Sequence, residues 1–478
     1  MPTQRLVFTD WLPDQPSNAG SLNDAKNVYP VGVGYAPFTS AEVYSGAASE
    51  ALNSVFVARY NNDVTVFAGG PTKLFKLNNT DQTLADVSKA GGYTGTGIWK
   101  FEQFGAVVLA TNSSEKIQAW TVGTSTVWAD VAATAPIAKD IAIVRDFVFA
   151  GNLTSGALAN TVKWSDINLE NVWTSGSTSQ SDSQVIPKGG NVQAITGGEF
   201  GLIFLQSAVI RASYVGSPLF FQFDTISDGL GCLEGNSVAQ YGNLSFFLSD
   251  DGWYSTDGQS VTNIGLEKVD RYFFGDADLT KIETISVAVD PVKNLVVWNY
   301  ANNTGTRSLL IYNWQLQKWT RGDTVSDVVG TIATTGTTLE GLTSVLGYTD
   351  IDAMTASLDS RLFIGGKLLF SGTIDTKIAV FTGLPIVPQI ITTDVAVGNN
   401  SVVTLARPQI DNGSADVAVA SRRDLNDVIV FSADVETTSE GRASLRSAGR
   451  YHRLSIKPTG NWTTAMAVDV DFISQGNR

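Results

Sequence analysis

Short apolar runs come in pairs along this chain, each pair joined by a polar or glycine-containing turn. SVFVARYNNDVTVFAGG (54–70) sets the type: two β-branched and aromatic runs flank Asn61-Asn62-Asp63, and two glycines end the unit. KFEQFGAVVLATN (100–112) repeats it around Phe104-Gly105, and IAIVRDFVFAGN (141–152) around Arg145-Asp146. AITGGEFGLIFLQ (194–206), VAQYGNLSFFLSDDG (238–252), VAVDPVKNLVVWNY (287–300) and SRLFIGGKLLFSG (360–372) follow. The second run of each pair centres on Val66, Val108, Val148, Ile203, Phe246, Val296 and Leu368, at spacings of 42, 40, 55, 43, 50 and 72 residues. The first five bracket the roughly 40–50 residues of a four-stranded propeller blade. The last interval holds a further hairpin, RSLLIYNWQLQKWT (307–320), and a strand-like stretch at 338–347. The pattern predicts an all-β fold, a six- or seven-bladed β-propeller over 46–384. A pair of β-sandwiches is the alternative that periodicity leaves open. Helical spacing is confined to GLEKVDRYFF (265–274), with Leu266, Val269 and Phe273 on one side.

Two regions fall outside the repeat. Residues 1–45, rich in Pro, Gly and Asn, read as an extended arm for contact with another subunit or an adaptor, since such an arm gains stability only by lying on something else. After PIVPQ (385–389), a stiff hinge, Val/Thr/Ala strands with Asn-Gly and Glu-Gly turns predict a small β-sandwich-like domain over 385–478.

Composition agrees with strands and turns. Charged residues make up 16% against roughly 25% for typical soluble domains, and 45 glycines supply turns. The net charge of −14 opposes tight binding of DNA through a basic groove, yet suits a surface that DNA must pass without sticking. The one cysteine, Cys232, rules out an intrachain disulfide and reads as a buried small hydrophobe, in keeping with a reducing compartment. No apolar run approaches the roughly 20 residues of a membrane-spanning segment. MPTQRLVFTDWLPDQP carries acids and prolines where a signal peptide would be apolar, so synthesis without export is expected.

Candidate chemistry is sparse. FFLSDDGWYSTDGQS (246–260) brings Asp250, Asp251 and Asp257 close in sequence, and Asp-Gly is a strong tight-turn signal. Turn formation is the main reading, with calcium binding and a glycosidase carboxylate pair as lesser ones. His452, the only histidine, excludes histidine triads and multi-histidine metal sites. Its neighbours Arg450, Arg453 and Lys457 are expected to lower its pKa. GGYTGTG (91–97) lacks the following Lys-Ser/Thr and the helix of a phosphate loop. WSDINLENVWTSG (164–176) approaches the Asp-box of sialidase propellers, but its spacing fails. No catalytic residue, cofactor or metal ligand is therefore assigned. Basic residues gather once, as Arg422, Arg423, Arg442, Arg446, Arg450, Arg453 and Lys457. The six arginines are the interface candidates, a docking face for an acidic partner or another copy of this acidic chain. A solvated β surface is the plain alternative and DNA contact the third.

Several segments together resemble the nozzle, or packaged-DNA stabilisation (tail tubular), proteins of short-tailed bacteriophages. They are DAKNVYPVGVGYAPF (24–38), GGEFGLIFLQSAVIR (197–211), SDDGWYSTDG with IGLEKVDRYFF (249–274), DPVKNLVVWNY with LLIYNWQLQKWT (290–320) and AGRYHRLSIKP (448–458). The resemblance runs in order over most of the chain, although each motif alone is a structural turn or strand. It implies a propeller body assembled as a six-fold homo-oligomeric ring at the distal end of a virion tail. An adaptor ring beneath the portal lies above it, and fibres or spikes alongside. It implies a role in retaining the packaged genome and letting DNA through on ejection, without sequence-specific binding or enzyme activity. Synthesis would be in the host bacterial cytoplasm. The rival readings are a carbohydrate-binding or carbohydrate-cleaving propeller for receptor recognition and a peptide-binding scaffold. For the sugar reading Trp99, Trp120, Trp128, Trp164, Trp173 and Trp253 are the candidate stacking platforms, and blade core is their plainer use.

Overall fold

The computed structural model describes residues 3–474 apart from 62, 96, 155–157, 334–349 and 351–367, with residue 399 described for its backbone only. Six four-stranded antiparallel sheets stand alone, and a seventh four-strand unit leads a fourteen-stranded sheet. In chain order they form blade 1 (54–86), blade 2 (100–130), blade 3 (138–185), blade 4 (192–228), blade 5 (239–263), blade 6 (286–323) and blade 7 (328–380 with Glu42–Val43). The first strands of successive blades line a central axis, and Val328–Ala333 of blade 7 packs against Ser54–Tyr60 of blade 1 to close the ring. The seven residues taken as repeat centres each lie in the second strand of a different blade. The hairpin at 307–320 supplies the outer two strands of blade 6, Arg307–Asn313 and Lys318–Asp323. The stretch 338–347 and residues 360–367 of the last hairpin lie outside the described residues.

Alternation within these strands explains why short sheets hold. One face of each blade meets the next, so each of the seven interfaces has its own apolar cluster. Blades 1 and 2 share Phe67, Trp99, Val108, Trp120 and Trp128, and blades 3 and 4 share Phe149, Trp164, Ile203 and Phe221. Between blades 5 and 6, Trp253, Trp298 and Trp319 are each at most 1% exposed, with Trp253 and Trp298 ring centroids 4.3 Å apart. Each such indole buries some 150–250 Å².

The arm lies along its own chain over several strands. Thr3–Val7 pairs antiparallel with Thr464–Ser474, and Val28–Pro30 forms a hairpin with Tyr35–Pro37. Glu42–Val43 is the fourth strand of blade 7, so the arm's end belongs to the propeller and closes it. Asp24–Lys26 lies between blade 6 and the C-terminal region, parallel to Lys318–Asp323 on one side and antiparallel to Gln389–Ile391 on the other. Arg321 fixes this insertion with a two-pronged pair to Asp24, both contacts 2.7 Å. A single sheet therefore runs from blade 6 through the arm into the C-terminal domain.

That domain is built on two 17-residue strands, Val395–Asp411 and Ala443–Thr459, joined by Ser414–Arg422 and Thr464–Ser474. Val403, Val417, Val419, Leu454, Val468, Val470 and Phe472 share its core, which continues into that of blades 5 and 6. The helix expected from 265 begins later, at Asp270–Asp276. Glu267 sits at φ 55°, which breaks the helical path, so Leu266 is left 66% exposed while Val269 and Phe273 are buried.

Candidate interaction surface and central cavity

The C-terminal arginines divide into two groups. Arg422 and Arg453 are not available for docking, because both are turned onto Asp394, whose side chain is 1% exposed. Arg453 Nε and Nη2 lie 3.1 and 2.6 Å from Asp394 Oδ1 and Oδ2, and Arg422 Nη2 also donates to Oδ2. Ser17 of the arm donates to the same oxygen at 2.8 Å. A buried carboxylate needs such company, since an unpaired charge in a core is costly. The expected interface role is corrected for these two arginines by Asp394, which lies far from the basic cluster in sequence. Arg423, Arg442, Arg446 and Arg450 are exposed as expected. Of these, Arg442 pairs with Glu440 at 3.1 Å, and Arg450 lies over the Tyr451 ring. Lys457 pairs with Asp434 at 2.6 Å.

His452 is fully buried between two hydroxyls, Ser401 Oγ on Nε2 and Ser421 Oγ on Nδ1, each at 2.7 Å. Its pKa is lowered to about 4, the direction expected from the sequence, but the cause is burial and not the neighbouring cations. Cys232 is buried too, donates to Glu234 O at 3.2 Å, and burial pushes its thiol up to about 12.

The aspartates of blade 5 build turns. Ser249 N donates to Gly252 O across the Asp250-Asp251 turn, and Tyr254 OH donates to Asp251 Oδ2 at 2.9 Å. Asp257 Oδ1 accepts from Gln259 N and Ser260 N, with Gly258 at φ 82°. These backbone donors hold the Asp257 carboxyl below its usual range. The six candidate tryptophans are each at most 2% exposed and sit in the core, so they offer no open stacking face.

Sequence reasoning missed the charged sector of the propeller axis. A cavity of about 760 Å³ runs between the blades' first strands, lined by Val, Ile and small residues, with Lys100, Glu102 and Asp140 on blades 2 and 3 and Gln240 and Tyr241 on blade 5. Asp140 accepts from Ile141 N and Ile195 N at 3.0 and 2.8 Å. Burial and then the neighbouring Asp140 charge push Glu102 up to about 8. Nothing local marks Glu102 in KFEQF, because a first-strand residue becomes a cavity group only when the ring closes. Among the described residues no group of three or more His, Cys, Asp and Glu side chains could hold a metal ion, and no helix is long and apolar enough to cross a membrane.

No family model matches the chain, and no curated protein does. Among solved structures it is similar to the computationally designed Ika8 protein, with 12% identity, a TM-score of 0.39 and coverage of 72% of this chain and 99% of that one. A chain of the mitotic checkpoint complex matches at 10% identity and TM-score 0.40, covering 72% and 98%. The Neurospora crassa Pan2 WD40 domain matches at 8% and 0.39, covering 70% and 90%.

Proposed function

We propose that this protein is a structural component of a short-tailed bacteriophage virion, a nozzle ring that holds back the packaged genome and serves as its exit channel. The observation that carries the reading is where the resembling segments meet in the fold. The stretch 24–38 enters the junction between blade 6 and the C-terminal domain, and 290–320 is blade 6 itself. The stretch 249–274 ends in the helix beside it, and 448–458 lies in the C-terminal strand that pairs with Gln389–Ile391. Four of the five resembling segments thus reach one structural unit, and the fifth, 197–211, lies in blade 4. Charge supports the role. Residues 1–384 hold 23 basic and 36 acidic residues, net −13, whereas 385–478 hold nine and ten, net −1. An acidic propeller repels a passing phosphate backbone and so lets it slide. In this reading the work is mechanical and calls for no catalytic group. Quantitative mass spectrometry of purified particles tests it: about half as many copies as a twelve-fold portal is the expected result. Absence from the particle would overturn it.

The axial cavity favours a second reading, a propeller that recognises carbohydrate. Glu102, whose carboxyl is pushed up to about 8, lines it, while Gln240 and Tyr241 supply further polar groups. A glycan array separates the two, since binding lost on Glu102→Ala would place recognition in the cavity.

A further inference from the structure

One stretch of the C-terminal domain has the chemistry of a strand and no sheet. Val428–Phe431 carries three β-branched residues and an aromatic in a segment that belongs to no strand or helix, with Val428 84% and Val430 73% exposed. Among the described residues none of its four N–H groups or four carbonyls finds a hydrogen-bond partner in the chain. It is nevertheless anchored at both ends. Asp427 Oδ2 accepts from Arg423 N and Asp424 N at 3.1 and 3.0 Å, and Ser432 N donates to Val419 O at 2.9 Å. Proteins blunt exposed strand edges with lysine, proline or a covering loop, and none of these four positions carries such a residue. An anchored, apolar, unpaired edge is the signature of strand addition.

Charge and edge length say what it pairs with. Arg423 and Arg450 flank the last register pair, Arg422 with Tyr451, both are exposed, and among the described residues neither is in an ion pair. The complementary acidic surface is the propeller side of this same chain. Phe220–Asp228 of blade 4 is the longest outer strand of any blade, nine residues paired on one edge only, with Asp224 and Asp228 exposed. We infer that Val428–Phe431 of one copy adds as a further strand to the outer edge of blade 4 in a second copy, with Arg423 and Arg450 set against Asp224 and Asp228. Donor and acceptor are different surfaces, so the contact is head-to-tail and repeats from copy to copy. The inference rests on the ring reading above and names the surface that would build the ring.

Cys232 makes a clean test possible, because its thiol is buried. Two single variants, V430C and T225C, are prepared separately and treated with a short bis-maleimide, alone and mixed. Cross-linked dimer in the mixture and in neither variant alone is the expected result, with yield cut at least about tenfold when V428D is added to the V430C chain. Sedimentation of full-length V428D should show the same loss of assembly. Dimer from V430C alone would mean a symmetric contact, and unchanged assembly of V428D a different surface. Either outcome overturns the pairing without bearing on the particle copy number. A wild-type chain that does not self-associate in sedimentation would overturn it as well, and the particle copy number then judges the virion reading separately.

Discussion

Asp394 holds two guanidinium groups and a serine hydroxyl in a site closed to water, and removing it would leave Arg422 and Arg453 buried without a counter-charge. Breaking a buried pair from one side typically costs about 3–5 kcal/mol. Asp394→Ala should therefore lower the unfolding free energy measured in urea by that order, and a change under about 1 kcal/mol would show the site to be solvated. Glu102 makes a pH prediction. Its folded pKa is raised from 4.5 to about 8, so the folded chain keeps a proton that the unfolded chain has lost. That contribution is full below 4.5 and fades as pH rises towards 8. His452 works the other way, its pKa falling from 6.5 to about 4, so its contribution is complete above 6.5 and lost on acidification. Between pH 6.5 and 8 the histidine is silent, and Glu102→Gln should flatten the decline of Tm across that window. Parallel slopes for the two proteins would refute the assignment. Neither site was legible beforehand, for a common reason. The basic cluster around Arg450 is visible as a run of letters, but the residue that neutralises two of its members stands near the propeller hinge. Conversely, the turn aspartates were legible, because Asp-Gly chemistry is settled within four residues.

At the scale of elements, the arm provides the sharper test. Asp14 accepts from Arg271 N and Tyr272 N at 2.9 and 2.8 Å, and so caps the helix Asp270–Asp276 from a distant part of the sequence. Asp14→Ala should cost about 1 kcal/mol, the usual worth of such a cap, and Asp14→Asn should recover part of it. A calorimetric scan of the three proteins decides this, and a neutral Asp14→Ala would mean that packing alone holds the helix. Gly34 is a second point of strain. It sits at φ 90°, and a Cβ there would lie 2.1 Å from Ala465 O, so Gly34→Ala should loosen the 28–37 hairpin from the C-terminal strand. Faster amide exchange at Val28–Pro37 is the expected readout. Hairpins were legible in the sequence because their period and turns are local. The helix start was not, because Glu267 adopts a left-handed conformation that no neighbouring residue announces. The weaving of the arm depends on partners some 300 residues away, as with Asp24 and Arg321, and no local pattern encodes that distance.

For the whole molecule, charge and connectivity combine. A propeller side of net −13 predicts no measurable retention of duplex DNA at physiological salt. Charge reversal of Asp224 and Asp228 to lysine should bring only weak, salt-sensitive retention. Binding by the unmodified chain in a filter assay would contradict the conduit reading. The continuous sheet at blade 6 has a mechanical meaning. Asp24–Lys26 is clamped between blade 6 and Gln389–Ile391, and the same arm ends as the last strand of blade 7. A pull on the C-terminal domain is therefore loaded in shear across a sheet and shared by two adjacent blades before any blade must peel from its neighbour. The arm acts as a tendon, and tension that would pry the ring apart is carried along the very strand that keeps it shut.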